Sequence, residues 1–266
     1  MITKEGILTN LNTVYFGKIV YTFESIDSTN IFAKSLSKKD GPHGTLIISE
    51  EQTSGRGRLQ RKWVGAKGKN LTFTLVLYPE FSIEKISILP FAAALAVANA
   101  IESIIQLQCE CKWPNDILIN GKKVCGMLLE SKGKKIVLGI GINVNQNEFS
   151  NDLLHKASSL KLEVGKEFDR IILLKRVLQE LENRYEQLAR FPSEIIINDW
   201  KKKSLLLGKK ITVLEGEFSY TATAEDVAND GSLVIQTEDG MKKRIYAGDV
   251  SLVASLTSPK EGKIER

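Results

Sequence analysis

Short apolar segments rich in β-branched residues alternate along the chain with longer segments whose apolar positions recur at helical spacing. The short segments predict β-strands, because short apolar, β-branched runs between turn signals are typical of buried strands. They cover residues 45–49, 71–78, 117–119, 124–130 and 136–142. Asn120-Gly121 separates two of these segments, and this dipeptide accepts the positive φ angles of a type I′ turn. Residues 117–130 are therefore predicted to form a β-hairpin.

The longer segments predict helices. Residues 27–37 begin with capping residues, residues 86–105 are rich in alanine, and residues 171–188 place apolar side chains at helical spacing. The alanine-rich helix is expected in the core. A hairpin combined with helices that are segregated from strands favours an α+β fold over a doubly wound parallel sheet. We therefore predict a mixed sheet packed with helices.

The sequence changes character after Leu207. Residues 209–253 are typical of four or five short strands joined by turns, which predicts a small β-barrel. The turn signals are Glu215-Gly216, Asn229-Asp230-Gly231 and Asp239-Gly240. Two domains are predicted, over residues 1–207 and 208–266, with a frayed tail from Pro259 onward.

The composition is that of an ordinary folded protein. The chain has 266 residues, of which 42% are hydrophobic and 26% charged, and these values exclude disorder and coiled coil. A spanning helix needs about 18 continuous apolar residues, whereas the longest candidate, residues 89–98, is shorter and contains Pro90. The N-terminus lacks the apolar stretch of a secretory signal. We expect no membrane span and a cytoplasmic location.

Cysteine and histidine are scarce. Cys109, Cys111 and Cys125 cannot all pair and have no C-x-x-C spacing, and the chain has 2 histidines. Neither a disulfide framework nor a zinc site is predicted. The three cysteines are expected to be small buried hydrophobic residues.

Positive charge is concentrated in one segment. The net charge of +5 is mild and does not require a nucleic acid as partner. Residues 53–79, however, contain no acidic residue, and the first part of this window is crowded with Arg56, Arg58, Arg61, Lys62, Lys67 and Lys69. This distribution predicts an anionic ligand.

Residues 53–63 are the most informative stretch. Gly55 and Gly57 let the backbone approach a ligand, the arginines offer planar forks for carboxylate or phosphate, and Trp63 offers a stacking surface. The stretch predicts a loop that closes over an anion, the alternative being a solvated basic turn. It does not match a dinucleotide-binding fingerprint, because Gln60 stands where the third glycine belongs.

A second group of polar residues lies around the predicted hairpin. Pro114 restricts the backbone of Trp113, so Lys112-Trp113-Pro114-Asn115-Asp116 is predicted to be a rigid turn that displays Lys112, Asn115 and Asp116. Lysine binds phosphate, and aspartate holds magnesium through water or orients the lysine. Taken alone, the turn is better explained by a structural role, and Lys123 on the return strand by exposure to solvent.

Together these motifs resemble the biotin protein ligases over residues 21–253. The resemblance rests on their order along the chain, since each is weakly specific alone. The motifs are Ser28-Thr29-Asn30, Gln52, the Gly-Arg-Gly-Arg loop, residues 112–116, residues 123–126 and residues 139–143. The resemblance implies a catalytic domain of the biotin/lipoate ligase type, similar to class II aminoacyl-tRNA synthetases, followed by a small SH3-like β-barrel.

The resemblance also implies a reaction. ATP activates biotin as biotinyl-5′-AMP with release of pyrophosphate, and the biotinyl group then passes to one lysine of a biotin carboxyl carrier domain. The residues implied for biotin are Ser28, Thr29, Asn30, Gln52, Gly55, Arg56, Arg58, Lys123, Gly126 and Gly139. Those implied for ATP or the adenylate are Arg56, Arg58, Arg61, Trp63, Lys112, Asn115, Asp116, Lys123 and Asn143.

Three residues are implied to be catalytic. Lys123 would stabilise the negative charge that develops during adenylation. Arg58 would lie near the carboxylate and the α-phosphate, and Asp116 would assist the carrier lysine. No direct metal ligand is implied, because Mg²⁺ is held mainly through the ATP phosphates, near Asp116.

The sequence departs from the family pattern in two places. Gln60 stands where glycine is common, which puts the turn of the loop and retention of the adenylate in question. Residues 1–27 are too few for the DNA-binding helix-turn-helix of some bacterial members, so no DNA binding is expected.

Other functions and partners stay open. A lipoate or octanoate ligase or transferase of the same fold is the first alternative, and a basic nucleic-acid-binding module is the second. The implied acceptor belongs to acetyl-CoA or pyruvate carboxylase. A homodimer through an exposed sheet edge is compatible with the resemblance.

Overall fold

The computed structural model describes residues 1–216 and 218–253, which form two compact units. The first unit comprises Met1–Leu205 and Ala228–Gly231, and the second comprises Leu206–Val227 and residues 232–253. The observed boundary lies two residues before the predicted one. A predicted turn of the C-terminal domain belongs to the first unit instead. The predicted frayed tail lies outside the described residues.

The first unit combines a mixed β-sheet with helices, as predicted. Its helices are α1 (Lys4–Leu8), α2 (Thr29–Ser35), α3 (Ile83–Ile86), α4 (Leu89–Ile105), α5 (Leu160–Val164), α6 (Arg170–Arg190) and α7 (Ser193–Lys202). Its strands are β1 (Val20–Phe23), β2 (Leu46–Ser49), β3 (Leu71–Leu77), β4 (Glu110–Lys112), β5 (Asp116–Ile119), β6 (Lys122–Lys132) and β7 (Lys135–Ile142). The α+β prediction is confirmed.

The strands form one seven-stranded sheet in the order β1-β2-β3-β7-β6-β5-β4. Only the β1–β2 pair is parallel among these strands. The predicted hairpin is formed by β5 and β6, with positive φ angles of 51° at Asn120 and 74° at Gly121. Strands β3, β7 and β6 carry six residues of the site described below: Thr74, Gly139, Gly141, Lys123, Gly126 and Glu130.

Helix α2 is fixed on one face of this sheet. Its inner face packs on strands β2, β3 and β7 in a cluster of Ala33, Ile47, Val76 and Val137, all fully buried. Lys135 caps the C-terminal end of the helix, because its ammonium group donates to the carbonyls of Ala33 (3.1 Å), Lys34 (3.2 Å) and Leu36. These contacts hold the N-terminal end of α2 over the middle of the sheet.

Helix α4 lies in the core of the first unit, where it packs against α6 and α7. Pro90 occupies the first turn, where a proline removes no helical hydrogen bond, and the helix ends at Ile105 as predicted. Residues 83–105 are long and apolar enough to cross a membrane, with a mean hydropathy of 1.9. The expectation that this stretch is too short was therefore wrong. Its most apolar window is 72% buried inside the protein, which is typical of a core helix.

The second unit is an antiparallel sheet of β8 (Lys210–Glu215), β9 (Phe218–Val227), β10 (Leu233–Thr237), β11 (Lys242–Ile245) and β12 (Asp249–Leu252). The strand order is β11-β10-β9-β8-β12. Its core is built from alternate positions of the strands, including Ile211, Val213, Ala222, Ala224 and Ile235. The prediction of four or five short C-terminal strands is confirmed.

Candidate active site

The N-terminus of α2 and the start of the loop after β2 form one wall of a polar pocket. Ser28 is the N-cap residue, is buried, and makes no side-chain capping hydrogen bond. The backbone N–H and the hydroxyl of Thr29 both donate to Oε1 of Gln52, at 2.8 and 3.0 Å. Because the amide oxygen of Gln52 is engaged in this way, its amide nitrogen remains available as a donor to a ligand.

The floor of the pocket connects α2 to the central strands. Thr74 of β3 donates its hydroxyl to Oδ1 of Asn30 at 2.6 Å. The amide nitrogen of Asn30 donates to Oε2 of Glu130 at 2.9 Å. A side chain at position 139 would overlap the amide oxygen of Asn30, so Gly139 is required for this packing. The floor is thus a buried polar network that lies over Gly139, a strand position without a side chain.

The Gly-Arg loop forms a small hairpin beside this pocket. Trp63 N donates to Gly55 O at 3.0 Å, and Gly57 N donates to Arg61 O at 2.7 Å. The turn closes with Arg61 N donating to Arg58 O at 3.1 Å. Its two central residues, Leu59 and Gln60, have φ angles of +51° and +58°, a region that favours glycine. The departure at Gln60 therefore lies at a position with left-handed backbone.

Trp63 places the end of this loop on the sheet. Its ring lies against the paired residues Gly126 and Gly141, where a Cβ at position 141 would overlap the ring. The indole Nε1 is buried and has no hydrogen-bond partner among the described residues. Trp63 therefore forms a wall of the pocket and offers one unused donor.

Lys123 and Asp116 form an ion pair at the open side of the pocket. Their Nζ and Oδ1 atoms are 2.6 Å apart, and the two side chains are 34% and 18% exposed. The ammonium group lies 5.9 Å from the centre of the Trp63 ring. The backbone of Lys123 is held by residues 156–158, because Lys123 N donates to Lys156 O and Ser158 N donates to Lys123 O, both at 2.9 Å.

Asn115, Asn143 and Lys112, which the sequence also predicted for the site, differ in the contacts that they already make within the protein. Asn115 donates its amide to the carbonyl of Met127, so this group stabilises the hairpin. Asn143 donates to Ser158 O at 3.0 Å, whereas its Oδ1 is buried without a partner in the described ranges. Lys112 is paired in register with Asp116 across β4 and β5. Asn143 thus keeps one acceptor for a ligand, while Asn115 has a structural contact.

Three residues of the site were missed by sequence reasoning. Thr74 and Glu130 orient Asn30, and Gly141 accommodates Trp63. Gly141 carried a usable signal, because residues 139 and 141 of a strand face the same side of the sheet. Thr74 and Glu130 carried no such signal, because their contacts with Asn30 are long-range. Thr74 is 44 positions from Asn30 in the sequence, and Glu130 is 100 positions from it.

The three cysteines are buried, and their thiols are poor nucleophiles. Burial raises the pKa of the Cys109 and Cys111 thiols to about 12, and that of Cys125 well above its ordinary value. These thiols are therefore not activated nucleophiles. Among the described residues, no group of three or more His, Cys, Asp or Glu side chains is arranged to hold a metal ion.

The comparisons with known proteins agree with this geometry. Residues 22–147 match the Biotin/lipoate A/B protein ligase family, and residues 206–253 match the Biotin protein ligase C terminal domain. The bifunctional ligase/repressor BirA of Bacillus subtilis is 33% identical, over 94% of this chain and 79% of its own length. The biotin acetyl-CoA-carboxylase ligase of Mycobacterium tuberculosis is 32% identical, over 84% of this chain and 85% of its own.

Solved structures extend the likeness to three dimensions. Biotin protein ligase from Aquifex aeolicus in complex with biotin and ATP has a TM-score of 0.79 and 34% identity, and the match covers 90% of this chain and 100% of that one. Fold, site and domain order together define a ligase. The chain belongs to the biotin protein ligases of the biotin/lipoate ligase family, as its motifs indicated.

Proposed function

We propose that this protein activates biotin with ATP and transfers it to a lysine of a carrier domain. In the first step a carboxylate oxygen of biotin attacks the α-phosphorus, and the bond to the pyrophosphate oxygen breaks. In the second step the carrier amine attacks the acyl carbon and loses a proton, while AMP leaves with the electron pair. The observation that carries the proposal is the set of polar contacts that join Thr29 to Gln52, Asn30 to Glu130 and Lys123 to Asp116.

The polar lining favours biotin over lipoate or octanoate. A ureido ring offers one carbonyl oxygen and two N–H groups, which complement the free amide nitrogen of Gln52 and the uncommitted hydroxyl of Ser28. A dithiolane ring or an alkyl chain would leave these buried groups unpaired, at a cost of about 1–3 kcal/mol each. The pocket therefore discriminates by the hydrogen bonds that a competitor cannot make.

Lys123 supplies electrostatic catalysis in this proposal. Its Nζ lies 2.6 Å from Oδ1 of Asp116, and 34% of its side chain is exposed. Its charge stabilises the negative charge that develops on the α-phosphate as pyrophosphate leaves. Arg58, on the loop that borders the pocket, adds a second cation near the same group.

The nucleotide is bound by the loop and the strand ends. Trp63 and Asn143 each keep one buried polar atom for the adenylate, and Arg56, Arg61 and Lys112 supply positive charge for the phosphates. Magnesium bound to the ATP phosphates would offset their charge. Asp116 is a carboxylate close to Lys123 and could contact that ion.

The acceptor is proposed to be the biotin carrier domain of a carboxylase, as the name of the mycobacterial relative suggests. For a homodimer, β1 is the better candidate edge of the sheet, because the outer edge of β4 is occupied. There Cys111 N donates to Lys203 O at 2.7 Å, and Leu205 N donates to Cys111 O at 2.9 Å.

The three buried unpaired thiols support a reducing, cytoplasmic location.

Isothermal titration with biotin, lipoate and octanoate tests the proposed substrate. We expect biotin to bind and the two competitors to bind at least about a hundredfold more weakly, because two or more buried groups stay unpaired. Tighter binding of lipoate or octanoate would contradict the assignment.

The absence of DNA binding stays a prediction. Binding to duplex DNA at low and high salt tests it, since phosphate contacts weaken steeply with salt.

A further inference from the structure

Glu130 contacts Asn30 in the pocket floor. On the basis of the proposed function, we propose that Glu130 is a positioning residue that orients the amide of Asn30 and so sets the direction of the hydrogen bonds beneath biotin. The residue lies on β6, seven positions after Lys123, and neither composition nor motif spacing gave it a role.

The two carboxylate oxygens of Glu130 have separate partners on α2. Oε2 accepts from the amide nitrogen of Asn30 at 2.9 Å, and Oε1 accepts from Nζ of Lys34 at 2.7 Å. Asn30 and Lys34 are four residues apart on the helix and therefore share one face. Glu130 thus links the face of α2 that carries Asn30 to the strand that carries Lys123.

An ionised carboxylate can only accept hydrogen bonds, and this fixes the orientation of Asn30. The amide nitrogen must face Glu130, which leaves the amide oxygen facing the hydroxyl of Thr74 at 2.6 Å. Thr74 in turn lies 2.8 Å from the hydroxyl of Thr29, which contacts Gln52. Of the five residues Glu130, Asn30, Thr74, Thr29 and Gln52, only Glu130 has an ionisable side chain.

The surroundings keep Glu130 ionised. Burial by itself would raise its pKa, but the hydrogen bonds from Lys34 and Asn30 and the charge of Arg56 together hold the pKa below its ordinary value. Side-chain exposure is 22% for Glu130 and 23% for Lys34, so water screens the pair only in part.

Loss of the carboxylate would let the Asn30 amide turn over. The other acceptor for its nitrogen is Leu128 O, at 3.4 Å, which is a weak contact. In E130Q, moreover, Lys34 attracts the new amide oxygen, which turns the new amide nitrogen toward the nitrogen of Asn30. Two donors then face each other, and the hydrogen-bond direction at the floor is disturbed where biotin binds.

Biotin-dependent pyrophosphate release by the full chain tests this inference, with K34M as the matched control. Both E130Q and K34M remove the Lys34–Glu130 ion pair, but K34M keeps a carboxylate beside Asn30. We expect E130Q to raise the KM for biotin about tenfold, the effect of one lost charge-assisted hydrogen bond. We expect K34M to change it less than about twofold, and the KM for ATP and kcat to change less than about twofold in either variant.

Additivity identifies the residue through which Glu130 acts. In an N30A background, E130Q should add less than about a twofold change, because the group that Glu130 orients is gone. Equal effects of E130Q and K34M, a rise confined to the KM for ATP, or full additivity with N30A would each overturn the inference. Wild-type protein that releases no pyrophosphate with biotin would instead overturn the proposed function.

A second variant keeps the test independent of the folding of E130Q. N30D places a carboxylate against Glu130 while it preserves an acceptor for Thr74. We expect biotin affinity, measured by isothermal titration at neutral pH, to fall at least about tenfold because like charges meet in a partly buried site. Unchanged biotin affinity of N30D would contradict the contact on which the inference rests.

Discussion

The indole ring of Trp63 rests on Gly141, with Nε1 only 2.8 Å from the point where a Cβ of residue 141 would stand. The neighbouring Gly126 is paired with Gly141 and extends the same flat surface, since its own Cβ would lie 3.1 Å from the Trp63 ring. The two paired glycines thus leave room for the Trp63 ring to pack directly on the sheet. Because Trp63 ends the Gly-Arg loop, this contact determines where the loop lies over the pocket.

Gly141→Ala should displace Trp63 and impair adenylation. The methyl group overlaps the ring, and the exposed loop can move more easily than the central strand β7. We expect biotin-dependent pyrophosphate release to fall at least about tenfold, with a loss of stability below about 2 kcal/mol. In a Trp63→Ala background the same substitution should have little further effect. Independent effects of the two substitutions would show that the contact does not position the loop.

Gln60→Gly should favour the closed form of the loop. A residue other than glycine at a φ of +58° costs about 1 kcal/mol relative to glycine. The variant should therefore release biotinyl-5′-AMP more slowly, by about three- to fivefold, in a single-turnover assay without carrier. Gln106→Gly is the matched control, because Gln106 has a φ of +59° at the end of α4, far from the loop in sequence. The control should stabilise the fold and leave adenylate release unchanged, and equal release rates for Gln60→Gly and wild type would contradict the argument.

The buried thiols should make stability fall at alkaline pH. Burial raises the pKa of Cys109 and Cys111 from 9.0 to about 12. Their protonated state therefore contributes stability that is complete below pH 9 and is lost as the pH rises toward 12, since only the unfolded thiols ionise in this window. Each thiol should lower the free energy of unfolding by about 1.4 kcal/mol per pH unit above 9.

Urea titrations at pH 8 to 10.5 measure this effect, with a triple Cys→Ala variant as the control for other titrating groups. The wild type should lose more stability than the variant over this range. Parallel pH profiles would show that the thiols are not buried. In native protein at pH 8 the three thiols should also resist alkylation until the chain unfolds.

Glu182 should be a main determinant of stability in the N-terminal segment. Its carboxylate accepts from Val14 N (2.6 Å), Tyr15 N (2.8 Å) and Phe16 N (2.8 Å). Glu182→Ala leaves three backbone donors without this acceptor and should cost about 3 kcal/mol of unfolding free energy. Glu180→Ala, two residues earlier on α6, is the control and should cost under about 1 kcal/mol. Chemical denaturation compares them, and similar losses for the two variants would contradict this role.

Local patterns predicted the elements whose own residues define them. The hairpin at Asn120-Gly121, the long helices α4 and α6, and most central strands follow from turn chemistry and periodicity. Helices α1 and α5 have five residues each, which is too short for a periodic signal, and α7 was also missed. Strand β1 has four residues and pairs in parallel with β2, so its identity depends on a partner distant in sequence.

The site shows the same division. Motif order placed Ser28, Gln52 and Lys123 in one site. In the structure Gln52 accepts from Thr29, next to Ser28, and the ammonium group of Lys123 lies 5.9 Å from the centre of the Trp63 ring. The contacts that orient them are long-range: Glu130 meets Asn30 across 100 residues, and Glu182 meets Phe16 across 166. No local rule specifies such pairs, because they form only when elements distant in sequence pack together.

The central claim is that Lys123 stabilises the charge that develops when biotin is adenylated. Biotin-dependent pyrophosphate release by Lys123→Met, compared with Lys122→Met, tests it most directly. The two lysines are adjacent on β6, and Lys122 is exposed to solvent. We predict that Lys123→Met lowers kcat roughly a hundredfold or more, with its cooperative unfolding retained, and that Lys122→Met keeps the wild-type rate. A wild-type rate for Lys123→Met, or equal losses in both variants, would contradict the assignment.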